Sequence, residues 1–160
     1  MNELLPDAVY FDSLPKVITS GAVILCDEHG RVLIEKPNYR DHWLLPGGGV
    51  DPGEDARACA HREVREELGL DLPIGRLLAV HWVPSRARVG APMGAHFLFD
   101  AGVVPAARLE ADVIPQAAEL DDWMLADAEE LDLLGPWGAS RARRGLAVLR
   151  GDSEVDLLAP

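Results

Sequence analysis

Three glutamates, Glu63, Glu66 and Glu67, crowd the end of one helical segment in the stretch Trp43 to Leu70, WLLPGGGVDPGEDARACAHREVREELGL. At about 100° per residue they lie at roughly −100°, −160° and −60° from Val64, on one flank of the helix. Glu63 and Glu67 form an i,i+4 like-charge pair, and Glu63 and Glu66 an i,i+3 pair. Each costs a few tenths of a kcal/mol when exposed. They also sit at the C-terminal end, where the helix dipole disfavours negative charge. Partly buried at ~4 Å, such carboxylates repel by around 4 kcal/mol at an effective dielectric near 20. A solvated helix laced with Arg–Glu pairs is the ordinary reading of so charged a segment. It does not explain three acids gathered at the unfavourable end. Carboxylate oxygens are the ligands that Mg²⁺ and Mn²⁺ prefer, and phosphate commonly completes their shell. The two readings stand side by side on these residues alone.

The helix that must position the acids is expected from about Glu54 to Leu68. Asp51 and Pro52 mark its entry, Glu54 and Asp55 occupy the first turn, and Gly69 suits its C-cap. Ala56, Ala60, Val64 and Leu68 recur every four residues, a stripe to face a sheet. Ahead of it, Pro46-Gly47-Gly48-Gly49 can make a tight turn, where missing Cβ atoms let a ligand approach the backbone.

Around this stretch, Val17 to Cys26 is rich in β-branched residues and reads as a buried strand. A turn at 27–30 returns it as a second strand over Arg31 to Lys36. Residues 37–42 form a polar loop, and Trp43 to Leu45 a short strand. Further strands are expected at Gly75 to Val83, Ala95 to Val104 and Asp122 to Leu125. In the Ala95 to Val104 strand His96, Leu98 and Asp100 alternate against Phe97, Phe99 and Ala101. Loops fall at 84–94 and 105–116. Helices are expected at Asp127 to Leu134 and Ala139 to Leu149, separated by Gly135-Pro136. Residues 1–15 read as an arm broken by Pro6 and Pro15, and 151–160 as a loose tail. Strands interleaved with few helices predict a single α/β (α+β) domain over residues 1–160, with helices on the faces of a mixed, partly antiparallel sheet.

A chain of 160 residues, 48% hydrophobic, is one domain of ordinary size. No apolar run approaches the ~20 residues of a membrane span. The first residues have no basic segment followed by an apolar one, so no signal peptide is expected. Cys26 and Cys59 form no metal or disulfide spacing, and both are expected to be small core residues in a reducing cytoplasm. The formal net charge of −12 argues against a nucleic-acid polymer as partner. It leaves a small phosphorylated ligand open, because a bound cation bridges carboxylate to phosphate.

Gly48, five residues, Glu54, seven residues, then Arg62-Glu63-Val64-Arg65-Glu66-Glu67-Leu68-Gly69-Leu70 resembles the Nudix box with no departure at its defining positions. The lead-in Leu45-Pro46-Gly47-Gly48 and Val50-Asp51-Pro52-Gly53-Glu54 also looks like the family's. The box spans Gly48 to Leu70, and the flanking strand order extends the resemblance over most of the chain. It implies an α/β/α sandwich that hydrolyses the pyrophosphate linkage of a nucleoside diphosphate joined to another moiety, a nucleotide sugar such as ADP-ribose or a (d)NTP, using Mg²⁺ with Mn²⁺ as substitute. Carried over by position, Glu66 and Glu67 are the main metal ligands, Glu63 a ligand or base, and the Gly47 or Gly48 carbonyl a further ligand. Arg62 holds Glu54 or a ligand glutamate in place. Many members add a later acid, for which Glu119, Asp121 and Asp122 are available and Glu119 is preferred.

Residues to select the substrate are Tyr39, Arg40, Trp43, His81, Trp82, Arg86, Arg88, His96 and Phe97. Aromatic rings stack on bases, and arginines clamp phosphate. Trp43 and Trp82 serve as packing on the plainer reading, and His96 as an ordinary strand histidine. Arg141, Arg143 and Arg144 read as a solvated helix face. Pro84 is not well placed for the ADP-ribose signature, and the dinucleoside polyphosphate, coenzyme A and NADH signatures are absent. The expected partner is a small nucleoside diphosphate derivative, with a homodimer as an option. A sensor that binds nucleotide sugar without cleaving it, and an RNA-end pyrophosphohydrolase, are the alternatives.

Overall fold

The computed structural model describes residues 5–159. Within them β1 (Val17–Cys26), β2 (Val32–Pro37), β3 (Gly47–Gly49), β4 (Leu77–Val83), β5 (Met93–Val103), β6 (Leu120–Ala126) and β7 (Leu157–Leu158) form one sheet. Its order is β6-β2-β1-β5-β4-β7, with β3 paired to β1. Four helices accompany it: α1 (Asp7–Ser13), α2 (Ala56–Leu68), α3 (Ala106–Asp112) and α4 (Gly135–Arg150). The sheet is mixed as expected: β1 runs parallel to β5, whereas β1–β2, β1–β3, β2–β6 and β4–β5 are antiparallel.

Strand alternation sorts the core into two layers. On one face Val23, Leu25, Leu33 and Phe99 pack against Ala60, Val64 and Leu68 of α2. On the other, Ile24, Ile34, Leu78 and Leu98 pack against Ala139, Ala142 and Leu146 of α4. The result is an α/β/α sandwich, and the stripe every four residues on α2 faces the sheet. Cys26 and Cys59 are both free and buried. Among the described residues no helix is long and apolar enough to cross a membrane.

Several elements depart from the sequence reading. The triglycine is not a turn but the strand β3, with Gly49, Gly48 and Gly47 opposite Ser20, Gly21 and Ala22. Close packing requires glycine there. A Cβ on Gly47, whose φ is +143°, would lie 2.3 Å from the Gly21 carbonyl oxygen. Trp43 to Leu45 contributes only a bridge, Leu44 to Glu35. On this side β1 is shared along its length: β3 pairs with its middle, at Ser20 to Ala22, and β2 joins it only near the hairpin, at Cys26 opposite Val32.

Elsewhere the arm holds α1 between its two prolines, with no buried residue. The 105–116 segment contains α3, entered at Pro105. Residues 127–134 form only a short 3-10 turn at Glu130–Leu134, and α4 starts at Gly135-Pro136 rather than after it. Proline near a helix start forfeits no hydrogen bond, so the pair opens the helix instead of dividing two. The tail ends in β7, which runs parallel to β4 at Val80 and His81.

Candidate active site

Local chemistry fixes α2. The Asp55 carboxylate caps its start, accepting from the Arg57 and Ala58 amides at 2.9 Å. Gly69, with φ of +71°, closes it and donates to the Arg65 carbonyl. Glu54 therefore precedes the helix. Its Oε1 accepts from the Asp51 amide at 2.8 Å.

Arg62 gathers the acids on this side. Its Nη2 lies 2.7 Å from Glu54 Oε1, and its Nη1 lies 2.9 Å from Glu63 Oε1 and 3.0 Å from Glu66 Oε2. Nη2 also donates to the Gly49 carbonyl at 3.0 Å. The Arg62 guanidinium, followed by the Asp51 amide, draws the Glu54 carboxyl down to about 2. Glu63 moves the other way, because burial outweighs the guanidinium beside it. The three glutamates differ sharply in exposure. The Glu66 side chain is 51% exposed and that of Glu63 14%, while Glu67 is only 4% exposed.

Glu67 reaches under β3, where its Oε2 accepts from the Gly47 amide at 2.9 Å. Its neighbour is a carboxyl that the sequence reading did not single out. Glu35, on β2, is 1% exposed. Burial first, then the charge of Glu67, pushes Glu35 up to about 10. Glu67 rises to about 7 through burial, opposed by its bonds from Gly47 and Glu35. Glu35 Oε2 is buried without a hydrogen-bond partner among the described residues. A proton on Glu35 donated to Glu67 relieves the repulsion, so the pair holds one proton when nothing else neutralises it. The signal for Glu35 was a lone acid inside the apolar run VLIEK.

Glu119 is exposed at the end of the loop before β6, which is tied down by Asn38. The Asn38 amide donates to the Glu119 carbonyl at 2.9 Å, and Asn38 Nδ2 donates to Ala118 O at 2.8 Å. Its charge acts on Glu35, Glu63 and Glu67. Asp121 and Asp122 are exposed on β6.

These residues fit a hard divalent cation. Every side-chain donor is a carboxylate oxygen, Arg62 is the single cation paired with Glu54, Glu63 and Glu66 among the described residues, and Glu35 carries an orphaned buried oxygen. Among the described residues no three His, Cys, Asp or Glu side chains stand in ready ligating geometry, with Glu63 and Glu66 turned to Arg62. The Gly48 carbonyl accepts from Cys59 Sγ at 3.3 Å.

The other side of β3 opens on a cleft of about 710 Å³ between the sheet and the start of α4. Gly47, Gly48 and Gly49 line it, together with Tyr39, Arg40, His42, Arg86, His96, Trp137 and Arg141. Of the proposed substrate contacts, Tyr39, Arg40, Arg86 and His96 thus come together. Trp43 does not: it packs on the core beneath α4. Phe97 packs on the opposite core, with α2. His81 stacks on Trp137, with ring centroids 5.3 Å apart. Trp82 follows His81 along β4 and so points to the other face. Arg88 is exposed on the turn at Ala87–Val89, outside the cleft.

Arg141, Arg143 and Arg144 do not share one solvated face. Arg143 pairs with Asp132 at 2.9 Å, and Arg144 donates to Ser153 Oγ at 2.7 Å. Arg141 lines the cleft, about 200° around the helix from Arg143. Trp137 and Arg141 reach the cleft only through the packing of α4 beside Ser20 and His96 of the sheet, which no local pattern shows.

A sequence model of the NUDIX domain matches residues 16–147. Over 49 residues the chain is 45% identical to diphosphoinositol polyphosphate phosphohydrolase 2 of Rattus norvegicus, a match over 31% of this chain and 27% of that protein. Over 70 residues it is 39% identical to diphosphoinositol polyphosphate phosphohydrolase 3-alpha of Homo sapiens, a match over 41% of this chain and 43% of the relative. The chain therefore spans less than half the length of these curated relatives. Among solved structures, the MutT protein of Methanosarcina mazei Go1 superposes with a TM-score of 0.70 at 23% identity, over 89% of this chain and 100% of that one. With the match running from just before β1 through most of α4, the chain belongs to the NUDIX domain family.

Proposed function

We propose that this chain is a Mg²⁺-dependent hydrolase of the pyrophosphate linkage in a nucleoside diphosphate derivative. One observation carries the reading: β3 is shared between the carboxylates and the cleft. Glu67 is bonded to the Gly47 amide, Glu63 lies against Gly48, and the same glycines line the cleft. A diphosphate in the cleft would lie over a backbone with no side chains in the way, next to the acids.

Glu66 and Glu67, with Glu63 and the Gly47 or Gly48 carbonyl, are the residues to hold the cation, and Glu35 lies within their group. When bound, the cation supplies neutralisation of phosphate charge and a lowered water pKa. Arg62 and Glu54 hold the helix end in register with β3. Glu63 or Glu119 accepts the proton from water as its oxygen bonds to phosphorus. The bridging P–O bond breaks and its electron pair leaves with the departing phosphate. Tyr39, Arg40, Arg86 and His96 are the residues available to hold the rest of the substrate. The two free, buried cysteines suit a reducing cytoplasm.

The test is a screen for phosphate-containing products from (d)NTPs, ADP-ribose, NDP-sugars and dinucleoside polyphosphates with Mg²⁺ or Mn²⁺. Likeness to the diphosphoinositol polyphosphate phosphohydrolases adds a diphosphoinositol polyphosphate to the panel. Hydrolysis that Glu66→Gln and Glu67→Gln each abolish is the expected result. Turnover unchanged in both variants would refute the metal assignment, and no turnover of any compound would favour a binding role.

A further inference from the structure

The cleft floor holds a cation with no counter-charge. Arg141 Nε is shut off from solvent and has no hydrogen-bond partner. Arg141 makes no ion pair among the described residues, and burial alone shifts its guanidinium, downward. Among the described residues, none of those lining the cleft is an acid. His96 is pressed down to about 4 by burial, then by Arg141, and His81 is lowered by the same two causes. Both imidazoles are therefore neutral near pH 7. His96 Nδ1 is 2.6 Å from Ser20 Oγ, and buried His81 Nδ1 is unpartnered. Arg86 adds a second guanidinium, 6.0 Å from the Trp137 ring centre. The α4 helix also begins here without a side-chain cap, so the positive end of its dipole meets the cleft.

A half-buried guanidinium whose Nε is shut off from water without a partner costs stability unless something compensates it. Two other partly buried arginines are paired, Arg62 with Glu54, Glu63 and Glu66 and Arg31 with Asp27. Leaving Arg141 bare on a cleft floor is the pattern of a site kept open for an anion.

We infer that Arg141, with Arg86 and the uncapped start of α4, binds a phosphate group of the substrate other than the linkage that is cleaved. The inference rests on the proposed function for the identity of the cleft as a substrate site. It narrows the substrate class to diphosphates that carry a further phosphate. The acids beyond β3 and Arg141 then address two different parts of one ligand.

The test uses inorganic phosphate as probe, on the whole chain stripped of metal with a chelator. Thermal melting and calorimetric titration are followed for wild type, Arg141→Met and Arg141→Lys. Phosphate should raise the wild-type Tm. Arg141→Met should melt above wild type without phosphate, and bind phosphate at least about tenfold more weakly. Arg141→Lys should retain part of the binding. A lower Tm for Arg141→Met would show that the guanidinium supports the fold, and an undiminished phosphate response would place the anion elsewhere. Either result overturns the inference. Glu67→Gln, tested alongside, separates it from the hydrolase reading: that variant should lose turnover yet keep the phosphate response.

Discussion

Glu35 of β2 and Glu67 of α2 meet between sheet and helix with 1% and 4% of their surface exposed, two carboxyls sharing a site where one charge is already costly. Like charges at such range cannot both ionise without a counterion. The surrounding fold tolerates the pair because one proton, or a cation, resolves it.

Replacement of Glu35 tests that arrangement. Glu35→Gln keeps the shape and places an NH₂ donor beside Glu67, so the metal-free protein should be as stable as wild type or more so. Glu35→Ala removes the donor and leaves a hole, and should cost about 2 kcal/mol. Urea unfolding in chelator reads both. Equal losses in the two variants would mean that no hydrogen bond joins the carboxyls.

Arg62 serves Glu54, Glu63 and Glu66 from one planar fork. Lysine offers a single charged point and cannot replace it. Arg62→Lys should cost about 1–2 kcal/mol, because the group is only partly buried and solvent screens what is lost. It should reduce turnover more than it reduces stability, as Glu63 and Glu66 lose their fixed positions. Melting compared with kcat decides this, and a kcat left unchanged would show that Arg62 has no part in ordering the acids.

Two adjacent glycines should fail differently. An added Cβ at Gly47 would meet backbone, 2.3 Å from Gly21 O and 2.5 Å from Ala22 Cα, in a positive-φ conformation that alanine resists. Gly47→Ala should destabilise by about 3 kcal/mol or more. At Gly48 the nearest atom is Glu63 Oε1, 2.2 Å away, at the end of a side chain that can swing. Gly48→Ala should fold with a loss of about 1 kcal/mol, while displacing Glu63 and depressing activity at least about tenfold. Matching stability losses for the two variants would contradict the geometry.

This contrast also shows what the amino-acid string could and could not convey. The α2 helix was legible because its caps, stripe and acids are local, each set by neighbours within four residues. So were β1, from its β-branched run, β2, from the turn before it, and β4 and β5, each from residues within the strand itself. That the triglycine is a strand depends on Gly21 and Ala22 lying beside it, some twenty-five residues earlier. Glu35 was a lone acid in an apolar run until the fold set Glu67 against it. Arg141 shares a basic run with Arg143 and Arg144, and its bare guanidinium depends on β4 and β5 supplying His81 and His96 rather than acids. Residues that act across elements carry no pattern of their own.

Asp27 offers a prediction independent of the site. It closes the β1–β2 hairpin, buried at 1% exposure. It accepts from the His29 amide at 2.9 Å, the Arg31 amide at 2.8 Å and Arg31 Nε at 2.7 Å. Burial pushes its carboxyl up, but the bonds from Arg31 and His29 together outweigh it and hold the pKa below the usual value. A carboxyl whose folded pKa is depressed contributes stability that is present above its unfolded pKa and is lost as pH falls through the folded one. Wild type should thus lose this contribution below about pH 4. Asp27→Asn should cost about 1–3 kcal/mol at pH 7, with the gap from wild type closing as the solution is acidified toward pH ~2. Urea unfolding across that range measures the gap. If it stays constant, hydrogen bonding to the ionised carboxylate is not what stabilises the turn.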